Sequence, residues 1–439
     1  MVFLIKAAQL LLSLSILVII HELGHFGFAK LFKTRVEKFY LFFDAWFSLF
    51  KFKKGETEYG IGWIPLGGYV KISGMIDESM DKEQLAQPEQ PWEFRAKKSW
   101  QRLLIMLGGV IMNFVLAGLI YILVLFAWGN DYIPVENMKY GISVDSTGYN
   151  LGFRNGDKII SINNKKFQKF SDIQKEILLS DSKVVQLERN GKKTEVTIND
   201  SQIKSIIDSK HGFISIRGEF VIADILKNSN AEKAGIEKDD KLIAVNDSSL
   251  NFFDEYVHYF KEHKSENVSI TVKKTDGTNK KLNVAVDSIG HIGVRTNSLA
   301  GIETEHQDYS FFESIPAGLS MGIEKVSDYL RQFKLIFNPE TKAYNSLGSF
   351  GTIGSMFPSQ WDWHSFWLLT AFLSIMLGVV NILPIPALDG GHVMFVLYEM
   401  ISGRKPNDKV LEYAQIGGFV ILISLMVFAL KNDIVRFFF

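Results

Sequence analysis

His21-Glu22-Leu23-Gly24-His25 closes an uncharged run, Ala7-Ala8-Gln9-Leu10-Leu11-Leu12-Ser13-Leu14-Ser15-Ile16-Leu17-Val18-Ile19-Ile20, and charge returns only at Lys30, after Phe26-Gly27-Phe28-Ala29. On a helix, two histidines four apart share one face, so both imidazoles can address one cation. Zinc accepts two neutral imidazoles with a third N or O donor and keeps a fourth position for water. Glu22, beside the first histidine, is placed to take a proton from that water. In a soluble amphipathic helix the same five residues would serve equally well as ordinary helix residues. Here three ionisable side chains fall inside a membrane-length apolar helix, where each is costly and usually functional.

Composition bounds the remainder. Of 439 residues, 47% are hydrophobic and 13% aromatic, with 35 Phe, which fits a membrane protein carrying soluble parts. The formal net charge is zero, so nothing points to a nucleic-acid partner. The absence of cysteine excludes disulfides, thiol catalysis and thiolate ligands, leaving His, Asp and Glu to hold any zinc. The N-terminal run reads as a retained span rather than a cleaved signal peptide, because no small-residue cleavage site follows it and cleavage would remove the motif.

Working outward, the pattern predicts a first transmembrane helix within 1–34 and a strand-rich stretch over 35–99. From Val2 to Ile20 the first helix rises about 28 Å, which sets the histidines near its far end. Val36–Tyr40, Trp46–Phe52 and Thr57–Gly62 are rich in aromatic and β-branched residues and read as strands. Residues 60–74 are apolar but broken by glycines and Pro65. They fit a hairpin that dips toward the motif, with a surface hairpin as the alternative. Residues 75–99 read as a polar loop with a short helix at most. A second span occupies 100–129, where Gly109, Asn113 and Ala117 make a small-residue face suited to close helix approach. Asn113 reads as interhelical glue in preference to a residue lining the site.

Residues 130–300 are polar and strand-rich. Gly152-Phe153-Arg154-Asn155-Gly156-Asp157-Lys158-Ile159-Ile160-Ser161-Ile162-Asn163 recurs about eighty residues later as Gly235-Ile236-Glu237-Lys238-Asp239-Asp240-Lys241-Leu242-Ile243-Ala244-Val245-Asn246. This predicts two modules, 130–209 and 210–300, whose pattern resembles PDZ domains, with peptide binding and a purely size-excluding role as equal alternatives. Residues 301–362 hold an amphipathic helix (308–337) and a glycine-rich link. A third span and its sequel occupy 363–402, ending in Asn381-Ile382-Leu383-Pro384-Ile385-Pro386-Ala387-Leu388-Asp389-Gly390-Gly391-His392; the fourth span lies in 403–439. Asp389, on irregular backbone before a new helix, is the natural third ligand; a helix cap is its bland alternative, and His392 is a rival ligand. Basic residues crowd the loops after span one, before span two and between spans three and four. These loops are therefore expected in the cytoplasm, with both termini and residues 130–360 outside and the zinc site near the cytoplasmic side.

The two membrane motifs, Ile64-Pro65-Leu66-Gly67-Gly68-Tyr69-Val70 and the paired modules together resemble the site-2 protease family of intramembrane zinc metalloproteases. Within it, the four-span layout with tandem PDZ domains resembles the bacterial sigma-E-regulating type. The resemblance covers nearly the whole chain. It implies Zn2+ on His21, His25 and Asp389, Glu22 as general base, and Asn381 as a holder of the substrate backbone. It also implies an edge strand within 60–74, including Gly62, Trp63, Gly67 and Gly68, onto which an unwound substrate adds. A second asparagine commonly lies five residues before the first; Met376 stands there. The implied substrate is a single-span membrane protein already trimmed by a site-1-type protease, such as an anti-sigma factor or a leftover signal peptide, in the inner membrane bilayer. Two other classes compete with it. A membrane binding or chaperone protein with a vestigial zinc site would lack a base or ligand, and none is missing. A transporter of the inverted-repeat kind would show duplicated spans, and none is visible.

Overall fold

Hydropathy and length together set the frame. In a computed structural model, residues 1–65, 67–75, 88–181, 183–209, 212–297, 299–405 and 407–438 are described. Among them four helices are long and apolar enough to cross a membrane, and these make the chain a helical membrane protein with small β-sheets. By contacts the chain divides into two compact units. One comprises Met1–Gly129, Asp308–Lys334 and Tyr344–Phe439; the other comprises Asn130–Gln307 and Leu335–Ala343.

The first unit begins with α1 (Val2–Leu31), whose buried face carries Gln9, Ser13, Leu17, His21, Gly24 and His25 at helical spacing. A four-stranded sheet follows: β1 (Val36–Leu41), β2 (Phe50–Lys54), β3 (Thr57–Ile61) and β4 (Tyr69–Ile72), in the order β2-β3-β1-β4. The expected 60–74 hairpin is corrected here. β3 pairs with β1 in parallel and β4 pairs with β1 antiparallel, so the two arms are separated by a central strand. The reason is packing: Val36 and Tyr40 of β1 are fully buried, and the Tyr40 ring lies against Gly60 of β3, where a Cβ would come within 2.4 Å of it. Residues 60–61 are thus interior to the sheet, and only Tyr69–Ile72 forms an edge. Most of the expected 75–99 loop, residues 76–87, lies outside the described residues.

Next comes α2 (Ser99–Trp128), packed along α1. In lipid the hydrophobic effect does little to join helices, so close backbone contact has to do it. Gly24 and Gly108 supply that contact: a Cβ on Gly24 would stand 2.2 Å from the Gly108 carbonyl oxygen. Gly108 thus adds to the face expected at Gly109, where a Cβ would stand 2.5 Å from His25 Nε2 of α1.

The second unit has two halves with separate cores. β5 (Asn130–Tyr132) enters it. The first half holds β6 (Ile142–Val144), α3 (Ser146–Asn150), β7 (Lys158–Ile162), α4 (Phe170–Leu179), β8 (Val184–Arg189), β9 (Lys192–Thr197), α5 (Asp200–Asp208) and β10 (Ile214–Ile216). The second holds β11 (Ile222–Ile225), α6 (Asn230–Ala234), β12 (Lys241–Val245), α7 (Phe253–Glu262), β13 (Asn267–Lys273), β14 (Asn279–Ala285) and β15 (Val294–Thr296). β16 (Glu305–Gln307) leaves beside β5, antiparallel to it. Each half pairs a three-stranded meander with a two-stranded ribbon. The sequence repeat has a structural counterpart. Buried Asp157 accepts from the Arg154 amide and from Arg189, while buried Asp240 accepts from the Glu237 amide and from Lys274. Asn163 and Asn246 both take left-handed backbone and accept an amide from the neighbouring strand. Asp157 raises the Arg189 guanidinium above its usual range, chiefly by their hydrogen bond.

The amphipathic α8 (Phe311–Phe337, Pro316 inside it), in the first unit up to Lys334, is followed in that unit by α9 (Phe350–Met356), α10 (Trp363–Ile382), α11 (Asp389–Ser402) and α12 (Asp408–Phe438). α10 stops at Ile382, because Pro384 disfavours helix at the residue before it and has no N–H to continue the ladder. Gly390 makes the return possible: a Cβ there would stand 2.2 Å from the Leu383 carbonyl oxygen. The 383–388 loop folds directly onto the first turn of α11.

Candidate metal centre

His21 and His25 point from α1, and Asp389 points from the first turn of α11, toward one place. His21 Nε2 lies 3.3 Å and His25 Nε2 3.4 Å from Asp389 Oδ2. The two Nε2 atoms are 3.2 Å apart. Among the described residues these three form the only group of three or more His, Cys, Asp or Glu able to hold a metal, with all ligand atoms within 4.8 Å of one another. Both histidines are buried.

The surroundings fix how these groups present themselves. His25 Nδ1 lies 2.8 Å from the Ile105 carbonyl oxygen of α2. A carbonyl only accepts, so Nδ1 carries the proton and Nε2 offers a lone pair. His21 Nδ1 lies 3.0 Å from the side-chain amide of Asn113, also on α2 and fully buried. Asp389 does not act as a helix cap: Leu388 holds the cap position, and Asp389 Oδ2 is buried with no hydrogen-bond donor. An orphaned carboxylate oxygen converging with imidazole nitrogens is what a cation relieves. Two imidazoles and one carboxylate, with no thiolate available, suit a catalytic zinc. The residues fit the ion.

Glu22 is half-buried, next to His21 on α1. Its Cγ lies near Gly68, where a Cβ would stand 3.5 Å from it and 2.6 Å from Val18 Cγ1. The backbone just before β4 therefore runs alongside Glu22, and only glycine fits. Asn381, in the last turn of α10, brings its amide within 3.3 Å of His21 Nε2. The other residues expected at the substrate strand lie in the connection between β3 and β4, outside the strands themselves. Gly62 donates its amide to the Leu41 carbonyl, Trp63 stacks on Trp46 and Phe47, and Gly67 lies against the Phe43 ring. His392 is outside the cluster and lines a cavity with Pro386, Phe395, Leu411 and Gln415. Met376 packs against the apolar cluster around Phe357 and Phe366.

Sequence reasoning gave Asn113 to helix packing, yet it contacts a candidate ligand. The available signal was its spacing: Ile105, Gly109 and Asn113 fall four apart, matching the four-residue spacing of the histidines they face.

Comparison with known proteins gives the same picture. The family described as peptidase family M50 matches residues 9–425. A Rickettsia conorii protein named as a zinc metalloprotease is 29% identical, covering 98% of each chain. A Neisseria meningitidis protein similarly named is 27% identical, covering 97% of each. The regulator of sigma E protease of Haemophilus influenzae is 27% identical over 99% of this chain and 100% of its own.

Proposed function

The chain belongs to peptidase family M50 and is a zinc metalloprotease, and from that premise we propose that it cuts a peptide bond within or beside the transmembrane segment of a single-span membrane protein. The observation that carries this reading is the convergence of His21, His25 and Asp389 on helices of a four-span membrane chain.

In this reading His21, His25 and Asp389 hold the zinc. Bound there, zinc would polarise the scissile carbonyl and acidify a water. Glu22 takes that water's proton as its oxygen bonds to the carbonyl carbon, then passes the proton to the leaving amine as the C–N bond breaks. Asn381, whose amide lies 3.3 Å from His21 Nε2, holds the substrate backbone beside the ligands. A transmembrane substrate keeps its backbone hydrogen bonds internal, so cutting it requires unwinding and new partners for the freed groups. β4 offers them as a sheet edge, and Gly68, just before it, brings that edge to Glu22.

The two halves of the second unit are proposed as PDZ domains, on the duplicated Asp and Asn turns and the meander-plus-ribbon layout. The positive-inside pattern puts them outside the cytoplasm, with the zinc site near the cytoplasmic face of the inner membrane. A substrate trimmed beforehand by a site-1-type protease, an anti-sigma factor or a leftover signal peptide, fits a site within the bilayer. The similarity to the regulator of sigma E protease supports the first.

The test pairs wild type with Glu22→Gln, each in detergent with zinc, on single-span peptides whose fragments are read by mass spectrometry. Wild type is expected to cut inside the span, chelator-sensitively, and Glu22→Gln to bind one zinc without cutting. Equal cutting by both proteins would overturn the role of Glu22. Cutting only outside every span would overturn the intramembrane reading.

A further inference from the structure

We propose that Asn113 is a positioning residue that sets the tautomer of His21, so that α2 as a whole turns both imidazoles toward one point. This rests on the reading of His21 as a zinc ligand.

The geometry is a register between two helices. α2 runs beside α1 and meets the histidines at three positions four apart. Ile105 offers its carbonyl oxygen to His25 Nδ1 at 2.8 Å. Gly109 leaves room for both rings, since a Cβ there would stand 2.5 Å from His21 Cε1 and 2.5 Å from His25 Nε2. Asn113 brings its amide to His21 Nδ1 at 3.0 Å. The first contact requires a proton on His25 Nδ1. For His21 to offer a lone pair at Nε2, its Nδ1 must likewise donate, and Asn113 must then face it with the carbonyl end.

The amide is free to do so. Its two ends have the same shape, and only the hydrogen-bond network distinguishes them. With Nδ2 toward His21, Asn113 Oδ1 is buried with no partner, so that end does not hold the amide in place. The rest of the residue is held: Asn113 is fully buried, and its backbone carbonyl accepts a hydrogen bond from Ser374 Oγ at 2.8 Å. An anchored amide at a ligand's second nitrogen is how metal sites fix imidazole orientation, and losing such a partner typically lowers metal affinity about 10- to 100-fold.

The experiment uses the full chain in detergent, labelled with 15N-histidine, with long-range proton–nitrogen spectra recorded before zinc is added. The zinc-free wild type should show His21 and His25 protonated at Nδ1. Zinc affinity is then measured by chelator competition for wild type, Asn113→Leu and Asn113→Asp. Leucine should mix the His21 tautomers and weaken zinc binding about 10- to 100-fold. Aspartate, which presents an acceptor in the same place, should restore the Nδ1–H form and bind zinc nearly as well as wild type. Unchanged affinity in Asn113→Leu beside a wild type that binds one zinc would overturn the proposal alone. So would a His21 proton on Nε2 in zinc-free wild type, a reading that needs no variant to fold. A wild type that binds no zinc would overturn the ligand assignment beneath it.

Discussion

Gly109 shows how little room the centre has. Replacing it with alanine would drive a methyl group into both imidazoles at 2.5 Å. Neither ring can retreat while its Nδ1 is tied to α2, so the helices must part. Gly109→Ala is expected to lose zinc at stoichiometric loading and to cost about 1–3 kcal/mol of stability, the usual scale of overpacking. Elemental analysis and thermal unfolding in detergent would check both, and a fully loaded variant of unchanged stability would contradict the packing. Asp389→Asn should behave differently. It keeps the shape and removes the charge, so zinc affinity should fall sharply while the melting temperature of the zinc-free protein hardly changes. At this scale the sequence was most legible where chemistry is local. His21, Glu22 and His25 declare themselves because one helix turn sets their spacing. Asp389 could be weighed because prolines and glycines around it mark broken helix. Asn113 was opaque: its partner lies 92 positions away in the chain, and an intramembrane amide can serve glue or site equally.

Helix ends were less legible than helix centres. Lys431, Asn432, Asp433 and Arg436 close the last apolar run, yet α12 continues through them to Phe438. Those polar residues have partners far off in sequence. Asp433 accepts from the Ser349 amide at 3.1 Å, its hydroxyl at 2.6 Å and the Thr352 amide at 3.0 Å, while Asn432 donates to the Leu347 carbonyl at 3.0 Å. The carboxylate thus does for α9 what an N-cap side chain does, but from another helix. Hydrogen bonds to a charged group contribute about 1.5–3 kcal/mol. Asp433→Ala should therefore release the first turn of α9, seen as faster hydrogen exchange at the Ser349 and Thr352 amides, with α10 unaffected. Unchanged exchange there would show that the turn is held by other contacts. The same limit explains the sheet. Three strands were visible in composition, but pairing depends on which residue covers Tyr40, and that is decided by Gly60 across the sheet rather than by neighbours in sequence.

At the scale of the whole molecule, the division into two units sets up the last prediction. The second unit has its own two apolar cores and needs none of the spanning helices to bury them. Its entry and exit strands pair directly, with Asn130 opposite Gln307 and Tyr132 opposite Glu305. Chain ends this close can be rejoined by a short glycine-serine linker, so residues 130–307 can be removed without stretching the rest. One cost is visible: Leu335 packs on the first core, so the end of α8 loses apolar cover and should fray. The proposed zinc ligands and their α2 contacts all lie in the other unit and should survive, giving one zinc per excised chain. If the paired modules act as a size filter, excision should speed cutting of an untrimmed single-span substrate while leaving a trimmed one cut at nearly the wild-type rate. If they recruit substrate by strand addition, the trimmed substrate should suffer instead, through a raised KM. Rates measured on both substrates, with zinc content as the control for an intact centre, separate the two roles. Full-length substrates left intact by an excised, zinc-loaded chain would end the filter reading.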